Sequence, residues 1–528
     1  MIHERTGGGC RINTLSHLER AEAIFVIGAN PDQSAPVLGY YLRRAARRGV
    51  PLIVADPRKT DLVLLSSLWL PVSPSRDAEL INCVAALLWK AFAHDANFIE
   101  HFTVGFAHYI DGLSSFNPAR LCLSAGIDIS SMKYAAGLLK AKKIAFVVGH
   151  GVTQRKDGDQ TMEALLNLSL MTGSLGSDAG GLYFPAKENN LVGALDMGSV
   201  PDALPGREPL SSGSARRQWE RAWGVRLSPD QGLNMVRMIE EAEKGNLKAL
   251  YVLGENPLRS LPQPERIRKA LEGLDLLVVQ DILTNETSQV ADVVLPGAAF
   301  SEKGGSFTNM EGRIQSFEPV VPPPGDAKAD WEIIDLLSEK MGCPKHYGSL
   351  ERIRADIVQL VPAYAGLDGE GGVSWVKQSS KFGLFNPEGR GDPIPFSPVF
   401  STEDEVSDDD YPFTAILGSL RYHLGSGTRT DRSARIHEFG LKGEIEISPE
   451  DGKRLNLHDG DLVRARSRTG SIVREIRIQK GLSPGLVFVP MAFNANDARN
   501  LIDLTGLRDA GSLHLKACQI ILERPERG

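Results

Sequence analysis

Over residues 1–345, short apolar runs with no polar alternation are separated by stretches whose apolar positions recur three and four apart. That pattern predicts buried parallel strands alternating with helices. One run is used twice. Ala23-Ile-Phe-Val-Ile-Gly28-Ala-Asn30-Pro31 returns as Ala249-Leu-Tyr-Val-Leu-Gly254-Glu-Asn256-Pro257. Each copy reads as a strand buried on both faces that stops at Gly-x-Asn-Pro. The glycine permits a sharp turn or a close ligand, the asparagine offers an amide, and the proline ends the strand. The residues after each copy match as well: a helix over 37–48 and strands over 51–56 and 68–71, then a helix over 264–271 and strands over 276–281 and 293–296. The middle strands end in Asp56 and Asp281. Each copy is a βαβ unit, and open parallel sheets bind ligands at the carboxyl ends of their strands. Two such units with tight turns and no ligand would read the same way.

Helices are predicted over 80–92, 97–102, 131–139, 161–172, 214–223 and 231–244. A strand over 144–148 runs into Gly149-His-Gly151, and Gly173, Gly176, Gly180 and Gly181 mark a long irregular loop. An amphipathic helix over 331–341 closes the second domain. Residues 346–402 are rich in Gly and Pro without strong periodicity, and with the acidic run 403–410 they read as a connection. The run has no ordered ligand spacing, so a solvated linker is favoured over a metal site. From Tyr411 the pattern changes to short strands and turns, over 413–417, 444–447, 461–467, 470–478 and 486–490. The fold class is therefore α/β, with two related Rossmann-like βαβ domains and a C-terminal β-barrel. The domains are 1–185, 186–345, a linker or insertion over 346–410, and a barrel over 411–528.

A net charge of −7 argues against general nucleic-acid binding. No apolar run approaches the roughly 20 residues of a membrane span, and the first residues carry neither a signal core nor twin arginines. Cytoplasmic location is expected. The five cysteines, Cys10, Cys83, Cys122, Cys343 and Cys518, are scattered with no C-x-x-C. The chain alone is expected to hold no iron–sulfur cluster and no disulfide framework. Cys10, in a Gly-rich setting, is the one to test for reactivity.

The two Gly-x-Asn-Pro units, Val54-Ala-Asp56-Pro57-Arg58, the segment from Ser301 through Phe307-Thr308-Asn309 to Arg313, and the barrel-like segment together resemble the molybdopterin oxidoreductase family. The closest branch looks like the formate dehydrogenase catalytic subunit and the large iron–sulfur subunit of NADH–quinone oxidoreductase. The resemblance covers nearly the whole chain apart from about 346–402 and implies a double-psi-like barrel. It implies molybdopterin guanine dinucleotide as cofactor, with molybdenum or tungsten between two related units. The implied cofactor-binding residues are Gly28, Asn30, Asp56, Asp77, Gly149, Gly151, Gly254, Asn256, Asp281, Thr308, Asn309, Arg313, Gly427, Thr428, Asn494, Asn500 and Lys516. Several have plainer readings. Asp77, where the family has a guanine-contacting aspartate, also suits a helix N-cap or first turn. Asn309 and Arg313 also suit a turn and a pair with Glu311, and Lys516 an edge-strand lysine. Arg43, Arg44, Arg47 and Arg48 suit a solvated helix end better than a phosphate site.

The family's cluster domain and metal-ligating cysteine or selenocysteine have no counterpart in this sequence. Its formate-holding arginine aligns with Ala186, and Lys187 beside it lacks the fork geometry. The expected function is a subunit of a multi-subunit redox complex, structural or carrying an incomplete half of an active site and inactive alone. The alternative is a catalytic fragment of a split molybdenum or tungsten formate dehydrogenase. No catalytic or metal-ligating residue is assigned. Expected partners are iron–sulfur and flavin or NADH-type subunits in a hetero-oligomer, and any membrane association would run through them.

Overall fold

The computed structural model of the chain describes residues 14–140, 143–185, 188–367, 373–376, 393–398, 409–493, 497–504 and 516–525. Cys10, Ala186, Lys187, Asn494 and residues 403–408 of the acidic run lie outside them. The chain forms two compact units, Met1–Pro185 with Ser380–Gly528, and Ala186–Ser379.

In the first unit, the apolar runs become β1 (Ala23–Ile27), β2 (Leu52–Ala55), β3 (Leu68–Leu70) and β4 (Ile144–Val148). A further strand, β5 (Gly181–Tyr183), occupies part of the stretch expected as an irregular loop. Only three residues long and preceded by glycines, it is too short to stand out as a periodic run. The sheet order is β3-β2-β1-β4-β5, with every neighbouring pair parallel. All residues of β1, β2 and β4 are buried, as continuous apolar runs require. Phe25 and Phe146 lie opposite each other in register and meet edge-on at 6.1 Å. Such a pair contributes about 0.5–1.5 kcal/mol beyond its burial. The helix Asp77–Lys90 is buried along most of its length, packed between Pro118–Ala125 and Gly158–Met171.

The same unit holds the barrel: β12 (Phe413–Gly418), β13 (Ile445–Ile447), β14 (Leu462–Arg466), β15 (Ser471–Ile478), β16 (Leu486–Pro490) and β17 (Ala517–Glu523). It closes in the order β12-β16-β13-β15-β14-β17. Alternation is plain in β12 and β15, whose inward residues include Phe413, Ala415, Ile472 and Ile476. The closing strand β17 alternates weakly, which hid it in the sequence.

In the second unit, β6 (Ala249–Leu253), β7 (Leu276–Asp281) and β8 (Val293–Pro296) form a parallel sheet in the order β8-β7-β6. These strands are not buried on both faces: Leu253 is 44% and Val294 46% exposed. The expectation of a fully buried second copy is corrected here. Its helices Met235–Glu243 and Pro264–Glu272 turn Val236, Ile239, Ile267 and Leu271 inward. β9 (Gly305–Thr308), β10 (Arg313–Phe317) and β11 (Val373–Trp375) form an antiparallel sheet. Part of the stretch read as a connection is therefore regular structure, since it supplies β11 and a helix at Leu350–Leu360. Ile357 and Leu360 of that helix pack on a cluster with Trp219, Ile314 and Tyr364. Interleaved charges concealed this apolar stripe.

Candidate functional site

The repeated motif folds the same way twice. Gly28 has φ +54° and Gly254 φ +65°, left-handed values that glycine adopts without steric penalty. Gly28 N donates to Ala55 O at 3.0 Å and Gly254 N to Gln280 O at 2.8 Å, each reaching the neighbouring strand. Asn30 (φ −118°, ψ 77°) and Asn256 (φ −128°, ψ 77°) then start single helical turns, Pro31–Ser34 and Pro257–Ser260. The proline in first position needs no backbone donor there.

The surroundings of the two copies differ. A side chain on Gly149 would come within 2.1 Å of Gly28 O, and one on Gly151 within 2.6 Å of the same atom. A Cβ on Gly28 would lie 2.8 Å from Val152 N. These three glycines let two strand-end loops of the same unit touch backbone to backbone, and Gly151 N donates to Gly28 O at 2.9 Å. At Gly28 the positive φ is the sharp turn expected of it, and all three glycines also give room to another stretch of backbone. A Cβ on Gly254 meets nothing within 4 Å, so that strand end is open. Asn256 is satisfied by its own unit: Nδ2 donates to Glu286 at 2.6 Å, and Oδ1 accepts from the Thr287 hydroxyl at 2.7 Å. Asn30 Oδ1 is buried with no hydrogen-bond partner among the described residues.

Beside Asn30, the carboxyl end of the first sheet gathers acids around arginines. Asp56 follows β2, and its Oδ1 accepts from Arg58 N at 2.9 Å. Asp77 opens the helix Asp77–Lys90 and is 6% exposed. It is a first-turn carboxylate, since the capping position is Arg76. No described residue donates a hydrogen bond to its carboxylate; Arg155 acts on it only through its charge. Burial pushes both aspartates up to about 7, and for Asp77 the neighbouring Asp157, Asp56 and Glu79 add to the effect. Arg76 donates to Glu79 at 2.9 Å, and Arg155 pairs with Asp157 and donates to Ser75. Asp157 Oδ2 and Glu79 Oε2 stay buried and unpaired among the described residues. Glu79, Arg155 and Asp157 were missed from sequence; their only signal was closeness to Asp77 and Gly151.

Three of the arginines expected at a solvated helix end are ion-paired within the unit. Arg43 donates to both oxygens of Asp32 at 2.8 and 2.6 Å, and Arg44 and Arg48 pair with Glu19.

In the second unit, Asp281 is held by its own loop, accepting from Ile282 N at 2.7 Å and Asn285 Nδ2 at 2.9 Å. Asn309 is the turn residue of its plainer reading, with Oδ1 accepting from Glu311 N at 2.9 Å and Arg313 N at 3.0 Å. Its Nδ2 donates to the Glu311 carboxylate at 3.1 Å. Thr308 is buried in a network: its N donates to Asn190 Oδ1 at 2.9 Å, and its hydroxyl meets Tyr364 Oη at 2.9 Å. Tyr364 in turn donates to Asp196 at 2.8 Å, and Arg207 pairs with Asp196.

On the barrel, the loop with Gly427 (φ +78°) is pinned by Arg499, which donates to Gly425 O at 2.6 Å and pairs with Asp497 at 3.0 Å. Thr428 and Ser426 share a hydroxyl hydrogen bond of 2.8 Å. Buried His423 lies 2.7 Å from Ala492 O and 2.9 Å from Thr430 Oγ1. The carbonyl can only accept, so Nε2–H donates to it. Asn500 sits in the turn Ala498–Leu501. Lys516 is 6% exposed just ahead of β17, which pairs on both sides with β12 and β14. The edge-strand reading of Lys516 is corrected: a closed barrel has no edge.

Bare buried acceptors at the carboxyl end of the first parallel sheet lie where open α/β sheets bind their ligands. The molybdopterin oxidoreductase family model matches residues 4–340 and the molydopterin dinucleotide binding domain residues 413–514. The chain belongs to the molybdopterin oxidoreductase family. It is 34% identical to the F420-dependent formate dehydrogenase subunit alpha of Methanocaldococcus jannaschii, over 98% of this chain and 79% of that one. It is 30% identical to the NADPH-Fe(3+) oxidoreductase subunit alpha of Geobacter sulfurreducens, over 96% and 58%. Acetylene hydratase from Pelobacter acetylenicus shares the fold, with TM-score 0.78 and 19% identity over 99% of this chain and 80% of that one. Among the described residues no helix is long and apolar enough to cross a membrane, and no group of three or more His, Cys, Asp or Glu could hold a metal ion.

Proposed function

We propose that this chain is the dinucleotide-holding portion of a formate dehydrogenase-like alpha subunit, with molybdopterin guanine dinucleotide as its cofactor. The observation that carries this is the acceptor set at the first sheet: Asn30 Oδ1 unpaired, and the Asp77 carboxylate without a hydrogen bond among the described residues. Buried acceptors left bare cost about 1–3 kcal/mol each, so such a set suits a ligand rich in N–H donors. The edge of guanine, with its N1–H and N2–H₂, supplies these donors, and one carboxylate can take both. Asp77 and Asn30 would hold that base, with Gly427 and Thr428 on the barrel as phosphate-facing backbone and hydroxyl. When bound, a pterin-held molybdenum or tungsten ion supplies a two-electron acceptor. The chain's own residues fix the base and exclude water around it.

The reading includes a hetero-oligomer with iron–sulfur and flavin-type subunits in the cytoplasm. Ala186, where the resemblance places a carboxylate-clamping arginine, supports a site that a partner must complete or that takes another substrate. A second reading, a scaffold that has given up its cofactor, draws on the second unit, where Asn256 and Asp281 are satisfied by neighbours.

The test is to express the chain in a cofactor-synthesising host, purify it, and measure GMP released by acid hydrolysis with molybdenum and tungsten by mass spectrometry. Stoichiometric GMP is expected, and formate with viologen dye should show no turnover by the chain alone. A nucleotide-free chain would favour the scaffold.

A further inference from the structure

The strand end bearing Asp56 is fastened to the barrel of the same unit. Arg58 Nη2 lies 3.1 and 2.8 Å from the two carboxylate oxygens of Glu446. The Arg58 side chain is 15% and that of Glu446 6% exposed. The guanidinium lies 3.6 Å over the ring of Phe488. Glu446 on β13 and Phe488 on β16 are cross-strand partners, so one arginine covers a matched pair of the barrel wall. The next residue extends the contact: Lys59 N donates to Gly481 O at 2.9 Å, and Arg58 bridges Leu482. Gly481 has φ +105°, and a Cβ there would lie 2.6 Å from Lys59 Cβ. The other end of the same short segment is Asp56, which accepts from Arg58 N and whose carbonyl accepts from Trp69 Nε1 at 2.9 Å.

We propose that Arg58 and Glu446 are positioning residues that make the dinucleotide site of the first sheet depend on the docked barrel. A carboxylate in a barrel wall is costly without its cation, so Glu446 favours the docked arrangement over any in which the wall stands alone. Docking fixes the backbone of Arg58 and Lys59, and that backbone fixes Asp56. Arginine suits the task because its flat cation can lie on Phe488 while its edge reaches the carboxylate, which lysine cannot do. The inference rests on the reading that Asp56 belongs to a dinucleotide site.

The experiment uses the full chain with Arg58→Glu, Glu446→Arg, the double exchange and Arg58→Lys. GDP affinity is measured by calorimetry, and hydrogen exchange is followed at residues 52–59. Each single reversal is expected to weaken GDP binding at least tenfold and to speed exchange at 52–59. The double exchange should return affinity to within about threefold, and Arg58→Lys should fall between. Thermal melts confirm that each variant is folded. Parental affinity in a folded single reversal, or a double exchange no better than the singles, overturns the proposal. If the parent binds no GDP, the dinucleotide reading fails, and exchange at 52–59 still decides: unchanged protection in Arg58→Glu refutes the coupling.

Discussion

Replacing Asp77 with asparagine should make the nucleotide-free protein more stable while weakening its site. Burial raises this carboxyl from 3.8 to about 7. Between those values the folded chain keeps a proton that the unfolded chain has lost. The unfolded state therefore binds fewer protons, and stability falls as pH rises through the window. About three pKa units at 1.36 kcal/mol each give about 4 kcal/mol lost above pH 7, an upper figure because the raised carboxyls of Asp56 and Glu79 are coupled to it. Asparagine has no ionised form to bury. Asp77→Asn should thus exceed the parent by about 2–4 kcal/mol at pH 8 and by less at pH 5, and the two should converge only as pH falls to about 4, where the unfolded carboxyl regains its proton too. Urea-dependent hydrogen exchange of the helix Asp77–Lys90 reads this locally, which matters in a chain of several folding units. GDP affinity should fall in the same variant, because the amide offers the base one acceptor oxygen and an opposing donor. A variant no more stable than the parent at pH 8, or a gain equally large at pH 5, would refute the reasoning.

Three further outcomes are expected. Gly149→Ala should cost about 3 kcal/mol or prevent folding, since its Cβ lies 2.1 Å from Gly28 O, whereas Gly254→Ala meets no atom and should cost about 1–2 kcal/mol of left-handed strain; urea midpoints separate them. Tyr364→Phe, which strips a donor from buried Asp196 and a partner from Thr308, should lower stability by about 1–3 kcal/mol, read from the fluorescence of Trp219 and Trp223. After anaerobic reconstitution with iron and sulfide, the chain should show no stable broad band near roughly 400 nm, because no cysteine pair has cluster spacing.

The strands β1, β2 and β4 were legible because a strand buried on both faces must be a continuous apolar run; β6 has such a run without that burial. The repeat of Gly-x-Asn-Pro was legible for the same local reason. What separates its copies was not. Asn256 is quenched by Glu286 and Thr287, about 30 residues away, and Asn30 is left bare; nothing in either nonapeptide says so. The glycines stood out in the sequence, but their mutual contact did not, since the β1–β4 pairing is what brings Gly149 and Gly151 onto Gly28. Lys516 misled because whether a strand has an edge depends on closure. The helix Leu350–Leu360 hid its apolar stripe among charges, and Arg58 gave no hint of a partner 388 residues on.

That last distance has a temporal side. At roughly 5–20 residues per second, a ribosome that has just delivered Arg58 needs roughly 20–80 s more to deliver Glu446, 388 residues later. The barrel then closes only when β17 reaches β12 and β14. The neighbouring strands of the first sheet lie within residues 23–183 and are complete long before. During synthesis the Asp56 strand end therefore stands with one wall missing, open to whatever must enter before the barrel arrives.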